Sequence, residues 1–425
     1  MRNKSTPPLL SLVTIMRDSS RDIGTLIESC AGVVDEIVLC DTGSRDNSMK
    51  VARDAMCRHG YPTKIYRYKW HDDFAAAKNF AIGQAKGKWL LLLDSDEYLT
   101  DGTRKNLRPI VERLVAGDMR DIEMNIIPGH PVNILDAVAN DFALPSSAPV
   151  APLSDKSHIA PSFDIIELWR HNIERDGAPV VGEADDLAVR LMRNIPSLRY
   201  VGEVHEQIVR ADGSQLISGR IAKEKILVNH TGYQKGANEE KINRNYRILS
   251  NEEKNGGSTF LLDFYLAGMR LSRGEYEAAA RSAEAAMHGH LPVHDRFAGH
   301  RLLYRALDAI AEKLRDGKGA TAQCGETDSG DALAAAERRI DDALERGIAA
   351  FPDYPDFYYF RGGRMWNAGR EREGLADMER AERLADEFEK KYPDQENYFV
   401  DLMAGMKAAL KQMREEIKEK NGNAE

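Results

Sequence analysis

Five consecutive apolar residues, Trp89, Leu90, Leu91, Leu92 and Leu93, end abruptly in Asp94-Ser95-Asp96-Glu97. A strand that is apolar on both faces belongs in the middle of a parallel sheet, where helices cover both sides. In open α/β sheets, ligands bind at the carboxyl end of such strands. Two carboxylates at i and i+2 leave that end close together, and a divalent cation relieves their repulsion. Mg²⁺ and Mn²⁺ take oxygen ligands of this kind and bridge them to diphosphates. An isolated D-x-D is also a common acidic turn, so its meaning depends on the residues around it.

The preceding residues alternate strand and helix signals. Strands are expected over 9–16, 35–40, 63–68 and 89–93, with helices over 23–31, 47–59 and 73–85. That β-α-β-α order predicts a mostly parallel sheet covered by helices. Residues 119–182 show no regular pattern, and 137–162 are rich in Ala, Pro and Ser, as a long loop or insertion would be. Strand patterns return at 187–193, 198–209 and 226–230.

Three further constellations share the expected ligand edge. Asp41-Thr42-Gly43-Ser44-Arg45-Asp46-Asn47-Ser48 follows the second strand. Its short polar residues suit a tight turn, and Asp46 or Asn47 can cap the next helix. In Trp70-His71-Asp72-Asp73-Phe74-Ala75-Ala76-Ala77-Lys78-Asn79, Asp73 can cap a helix. Lys78 one turn in could meet a phosphate as a point charge; the plain alternative is an ordinary capped surface helix. In Tyr200-Val201-Gly202-Glu203-Val204-His205-Glu206-Gln207, a regular strand would put Glu203 and His205 on one face. A single His is more often structural than a ligand, but an imidazole beside two carboxylates suits Mn²⁺.

The order of these pieces resembles family 2 glycosyltransferases, inverting enzymes of GT-A fold. It is most similar to the branch containing glycocin S-glycosyltransferases and lipopolysaccharide-core sugar transferases. That branch shows V-D-E-I-V-x-x-D-T-G-S-x-D-x-T, W-x-D-D-F-x-x-A-R-N, W-x-L-x-L-D-x-D-E and G-x-V-H-E, matched here at 34–48, 70–79, 89–97 and 202–206. The resemblance implies a UDP-linked sugar donor and Mn²⁺ or Mg²⁺. It implies that Asp41 holds the base, that Asp73, Lys78 and Asn79 line the nucleotide pocket with Ser95, that Asp94 meets ribose or metal, and that Asp96 and His205 bind metal. Two departures stand out. The usual V-K-N-E-E after the first strand is Met16-Arg17-Asp18-Ser19-Ser20, leaving Asp18 as the acidic group there, and the usual Arg-Asn pair is Lys78-Asn79. Inverting transfer needs a base for the acceptor proton; Glu206 is the first candidate, with Glu203 and Asp185 as rivals.

From residue 238 onward the pattern is helical. Leu266, Ala267, Gly274, Tyr276, Ala279 and Ala286 fit tetratricopeptide spacing, as do Tyr358, Gly362, Gly369 and Ala381. A third hairpin is expected over 296–314 and 332–350, and a capping helix over 395–420. Small residues at these positions let paired helices approach closely, and stacked hairpins bury a shared face. The expected organisation is therefore a GT-A domain over 1–237, carrying the 119–182 insertion, and an all-α tetratricopeptide-like domain over 238–425.

Composition narrows the partners. The chain has 425 residues and a net charge of −9. No dense Lys/Arg block appears, which argues against nucleic acid as a partner, and no apolar run approaches the ~20 residues that span a bilayer. Residues 1–8 show no signal-peptide pattern. Cys30, Cys40, Cys57 and Cys324 form no C-x-x-C pair, which predicts idle thiols in a reducing cytoplasm. The expected partners are a nucleotide sugar and an acceptor, first a peptide or protein side chain and second a saccharide; a homodimer is also open. Two other functions compete: a non-catalytic scaffold with a helical-repeat binding surface, and a sugar-1-phosphate nucleotidyltransferase. The latter usually opens with a Gly-rich loop, and residues 16–21 contain no glycine.

Overall fold

Along β1 (Leu10–Met16), Leu10, Leu12 and Met16 face one apolar core and Val13 the other. Along β4 (Trp89–Leu92), Trp89 and Leu91 join the first core while Leu90 and Leu92 join the second. This alternation explains the unbroken apolar run: both strand faces are dry, and each buried Leu contributes about 1.5–3 kcal/mol. The computed structural model describes residues 7–127, 163–174, 176–178, 185–232, 237–256, 260–288, 293–316, 326–391 and 400–422. The Ala/Pro/Ser-rich stretch at 137–162, Glu183 and Cys324 lie outside them.

The sheet runs β3-β2-β1-β4-β8-β7-β11-β6, with β12 (Leu227–His230) pairing β7 and β5 (Glu97–Leu99). β1 to β4, with β2 (Glu36–Asp41) and β3 (Ile65–Arg67), are mutually parallel. Beyond β4 the sheet is mixed: β8 (Asp186–Arg193) runs antiparallel to both β4 and β7 (Ile165–Asn172). β11 (Leu216–Ile221) pairs parallel with β7 and antiparallel with β6 (Ile122–Ile127). Three helices pack on one core: α1 (Ile23–Cys30), α2 (Ser48–Arg58) and α4 (Asp101–Val115). On the other core lie α3 (Phe74–Ile82) and a two-stranded ribbon of β9 (Leu198–Val201) and β10 (Gln207–Arg210).

Two expectations are corrected. Residues 119–182 are not wholly irregular, because β6 and β7 are sheet strands; β7 mixes Ile, Glu, Trp, Arg and His, so its apolar alternation is weak. Residues 198–209 are not one strand. Gly202 (φ 94°) and His205 (φ 55°) turn the chain between β9 and β10, so period-two alternation does not orient Glu203 and His205.

The chain forms two compact units, Met1–Ile248 and Leu249–Glu425, and α5 (Ala237–Lys254) contains the division. The second unit consists of α6 (Phe260–Ser272), α7 (Tyr276–Met287), α8 (Val293–Arg315), α9 (Glu326–Ala350), α10 (Pro355–Asn367), α11 (Glu371–Lys391) and α12 (Val400–Gly422). The expected tetratricopeptide-like hairpins are α6–α7, α8–α9 and α10–α11. Gly362 lets α10 and α11 meet: a Cβ there would lie 2.9 Å from the Gly374 carbonyl oxygen. No helix of the described residues is long and apolar enough to cross a membrane.

Candidate nucleotide-sugar site

The carboxyl ends of β1, β2 and β4 are tied together by side-chain hydrogen bonds. Asp18, at φ 50°, accepts from the Arg45 amide at 2.7 Å and the Asp46 amide at 3.3 Å. Asp46 in turn accepts from the Ser20 amide at 3.0 Å and from the Ser48 amide at 2.9 Å. Asp46, not Asn47, therefore supplies the side-chain oxygen at the start of α2. Ser19 Oγ and Ser95 Oγ are 2.8 Å apart, which joins the first loop to the D-x-D turn. Asp41 is buried and accepts from the Ser44 amide at 3.2 Å and the Gly43 amide at 3.3 Å.

The two carboxylates of the D-x-D turn meet different partners. Asp94 faces Arg190 Nη2 at 2.9 Å and Lys78 Nζ at 3.6 Å. Burial raises the Asp94 carboxyl, and Lys78, Arg190 and Arg170 outweigh it and hold its pKa well below the usual carboxylate range. Lys78 is not on an exposed helix face. Its Nζ also lies 2.5 Å from Glu206 and 5.0 Å from the centre of the Tyr200 ring. Burial lowers the Lys78 pKa, but Asp94 and Glu206 raise it further, so the ammonium stays charged. The expected repulsion between Asp94 and Asp96 is thus already answered at Asp94 by protein cations.

Arg190 is placed by an irregularity. Ile166 pairs with Leu191 and Glu167 with Val189, so Arg190 is the skipped residue of a bulge. Bulges next to active sites commonly re-aim a side chain. Here the guanidinium reaches Asp94 and, at 2.6 Å, the fully buried Glu97. Arg170 adds a 3.4 Å contact to Glu97 and a two-pronged pair with Asp186 at 2.6 and 2.7 Å.

Asp96 faces the end of β12. His230 Nε2 lies 3.8 Å and Lys241 Nζ 3.9 Å from Asp96 Oδ2. His230 Nδ1 lies 2.8 Å from Asn172 Oδ1. An amide oxygen accepts only, so the tautomer that suits this contact carries its proton on Nδ1, the arrangement in which an imidazole ligates metal through Nε2. Gly232 makes room: a Cβ there would come 2.3 Å from His230 Nε2 and 2.7 Å from Asp96 Oδ2. One carboxylate and one imidazole nitrogen beside such a cradle are a suitable donor pair for Mn²⁺ or Mg²⁺. No group of three His, Cys, Asp or Glu side chains at metal spacing occurs among the described residues. The proposed trio of Asp94, Asp96 and His205 is therefore not assembled: His205 sits on the exposed turn before β10, and His230 stands next to Asp96 instead.

The remaining candidates take defined places. Asp73 Oδ1 caps α3 by accepting from the Ala76 amide at 2.7 Å. Asn79 mimics a neighbouring strand: its Nδ2 donates to the Tyr200 carbonyl at 2.8 Å and its Oδ1 accepts from the Tyr200 amide at 2.9 Å. The Glu203 carboxyl is raised by burial and then by Asp73 and Asp72. Asp185 accepts from His171 Nδ1 at 2.6 Å and pairs with Lys223, well held and below its ordinary pKa despite partial burial.

Sequence reasoning missed Arg170, Asn172, Arg190, His230, Lys241 and Arg244. His230 had a signal, since it ends an apolar strand as Asp94 does. Arg244 lies on the same α5 face as Lys241, with its guanidinium 5.0 Å from the Phe74 ring centre. Burial, then Arg17 and Arg247, lower its pKa. Among the described residues no carboxylate forms an ion pair with it.

Residues 11–125 match the model of the family described as glycosyl transferase family 2. The N-terminal unit carries a family 2 glycosyl transferase domain. A TPR repeat-containing protein of Synechococcus elongatus is 40% identical over 90 residues, a stretch that covers 21% of this chain and 21% of that protein. The matched stretch is thus about a fifth of the curated relative's length. Among solved structures, TarS of S. aureus aligns at 12% identity and a TM-score of 0.32, over 81% of this chain and 91% of that one. Glucosyl-3-phosphoglycerate synthase of Mycobacterium tuberculosis, crystallised with Mg²⁺ and UDP, aligns at 18% identity and a TM-score of 0.22, over 27% and 42%. Within the glycosyl transferase domain, the matched region contains the loops after β1 and β2, α3 and the D-x-D turn; Arg190, His230 and the α5 cations lie beyond it.

Proposed function

We propose that this chain is a metal-dependent inverting glycosyltransferase that moves a sugar from a UDP-linked donor to a peptide or protein side chain. The observation that carries this is the pairing of Asp96 with His230 at the carboxyl edge of the sheet, with Asp94 already neutralised beside it. Asp96 and His230 would hold Mn²⁺ or Mg²⁺, with the donor's diphosphate completing the ligand set. The cation would supply charge neutralisation to the departing diphosphate.

The chain's own residues provide the remainder. Lys241 and Arg244 on one face of α5, with Arg17 near enough to lower the Arg244 pKa, would offer cations to a diphosphate. The turn held by Asp41, Asp18 and Asp46 shapes the nucleoside end, and Ser95 anchors the D-x-D turn to it. Glu206 is the proposed base: of Glu206, Glu203 and Asp185, it alone shares a cation, Lys78, with Asp94. A thiol acceptor would ask less of that base, since its pKa is already near 8.5.

Nucleotide-sugar turnover tests the reading. With Mn²⁺, the purified chain should release UDP slowly from one member of a panel of UDP-sugars. Asp96→Ala should stop release, and Glu206→Gln should stop acceptor transfer while sparing UDP binding. Undiminished release by Asp96→Ala would overturn the metal assignment.

A further inference from the structure

The helical unit contains a groove of about 890 Å³ between α8, α10 and α12. Tyr304 and Asp308 of α8, Tyr359, Gly363 and Trp366 of α10, and Glu416 of α12 line it. Its chemistry is unbalanced. The two arginines at its wall are already paired: Arg315 with Glu337 at 2.7 Å, and Arg364 with Glu337 and Asp341, each at 2.7 Å. Two carboxylates remain, Asp308 and Glu416. Gln412 donates to Glu416 at 2.9 Å, but Asp308 makes no hydrogen bond or ion pair among the described residues. It is half-buried, and burial raises its carboxyl against the opposing pull of Arg315 and Arg364.

Gly363 is a second, independent observation. A glycine inside a helix costs helix stability. Its neighbour Gly362 is explained by the close approach of α11, yet a Cβ at Gly363 would meet nothing within 4 Å. Packing within the unit does not demand that glycine. Its bare backbone leaves space in the groove wall beside Tyr359 and Trp366, two rings able to flank a cation.

We propose that this groove binds a peptide segment through a lysine or arginine side chain, which pairs with Asp308 between the aromatic walls while the peptide backbone passes over Gly363. The charge balance selects a cationic occupant, and a helical-repeat face suits an extended chain. The site stands whether or not the glycosyltransferase reading does.

Calorimetric titration of the full chain at low salt tests it, using blocked nine-residue Ala/Ser peptides with a central Lys, Arg, Gln or Glu. The Lys and Arg peptides should bind at least tenfold more tightly than the Gln peptide, and should alter the emission of Trp366, identified with Trp366→Phe. Asp308→Asn should abolish the preference without lowering the melting temperature, and Gly363→Leu should block binding by filling the groove. Asp342→Asn, which removes a carboxylate paired with Arg346 at 3.0 Å outside the groove, should bind as the parent does. Equal binding of the Lys and Gln peptides, or none into the millimolar range, would overturn the proposal. So would spermidine binding as tightly as the peptides, which would make this an amine site. A dimer dissolved by Gly363→Leu would give the groove to a second copy and overturn it as well.

Discussion

His230 Nε2 and Asp96 Oδ2 face each other at 3.8 Å, and the other imidazole nitrogen, Nδ1, lies 2.8 Å from Asn172 Oδ1. Neither the D-x-D turn nor the histidine suffices alone. The end of β12 brings them together, because Thr231 donates its amide to the Asp96 carbonyl at 3.0 Å.

Exchanging the two histidines separates the rival ligand sets. His230→Ala should lower Mn²⁺-supported UDP release at least 100-fold, and Asn172→Leu about 10–100-fold, the usual loss when a ligand's outer partner goes. His205→Ala should change it less than threefold. A large loss in His205→Ala with none in His230→Ala would restore the ligand set read from the sequence.

Gly232→Ala tests the cradle. The new methyl would collide with both His230 Nε2 and Asp96 Oδ2. Mn²⁺ affinity, measured by titration, should fall more than about tenfold, as for changes that disturb metal-ligand orientation. Unchanged affinity would mean that the two donors do not converge on a cation.

Arg190→Leu should cost about 3–5 kcal/mol in urea unfolding, the usual penalty for removing one partner of a buried ion pair. Glu97 would keep the Asp94 amide at 3.0 Å, but its one remaining ion pair among the described residues would be the 3.4 Å contact to Arg170. A cost near zero would show that Arg170 alone compensates Glu97.

Stability should also depend on pH through Asp356, in the first turn of α10. Burial pushes its carboxyl from 3.8 up to about 6, against Arg301. Its Oδ2 lies 3.6 Å from Arg301 Nη1, and Tyr354 also opposes the rise. Between those values the folded state holds a proton that the unfolded chain has released. Stability therefore falls as pH rises from about 4 to about 6, and levels off above. Asp356→Asn should remove this slope and stabilise the helical unit at pH 7 by at most about 3 kcal/mol. A wild-type profile flat over that window would refute the shift.

The first four strands and three helices were legible because their patterns are local: apolar alternation, a cap at Asp73, a glycine turn. The D-x-D turn was legible for the same reason. What was not legible depends on pairing over long separations. His205 carried weight through its neighbourhood in sequence, yet a turn with two positive φ angles carries it away from strand alternation. His230 and Arg190 reach the site only once β8 and β12 are registered against β7. Of the four cysteines, Cys30 and Cys40 are buried, with burial pushing both up to about 12, whereas Cys57 is exposed.

The bulge at Arg190 turns charge placement into a matter of counting. With regular pairing, every residue of β8 beyond the Ile166–Leu191 pair would shift by one, and a neutral neighbour, Val189 or Leu191, would stand in place of the guanidinium. A single-residue deletion there would leave the core composition almost untouched while stripping Asp94 and Glu97 of their shared cation. Length changes in this strand are therefore more dangerous to the sheet edge than most substitutions, and homologous chains aligned across it should be compared by strand length before residue identity.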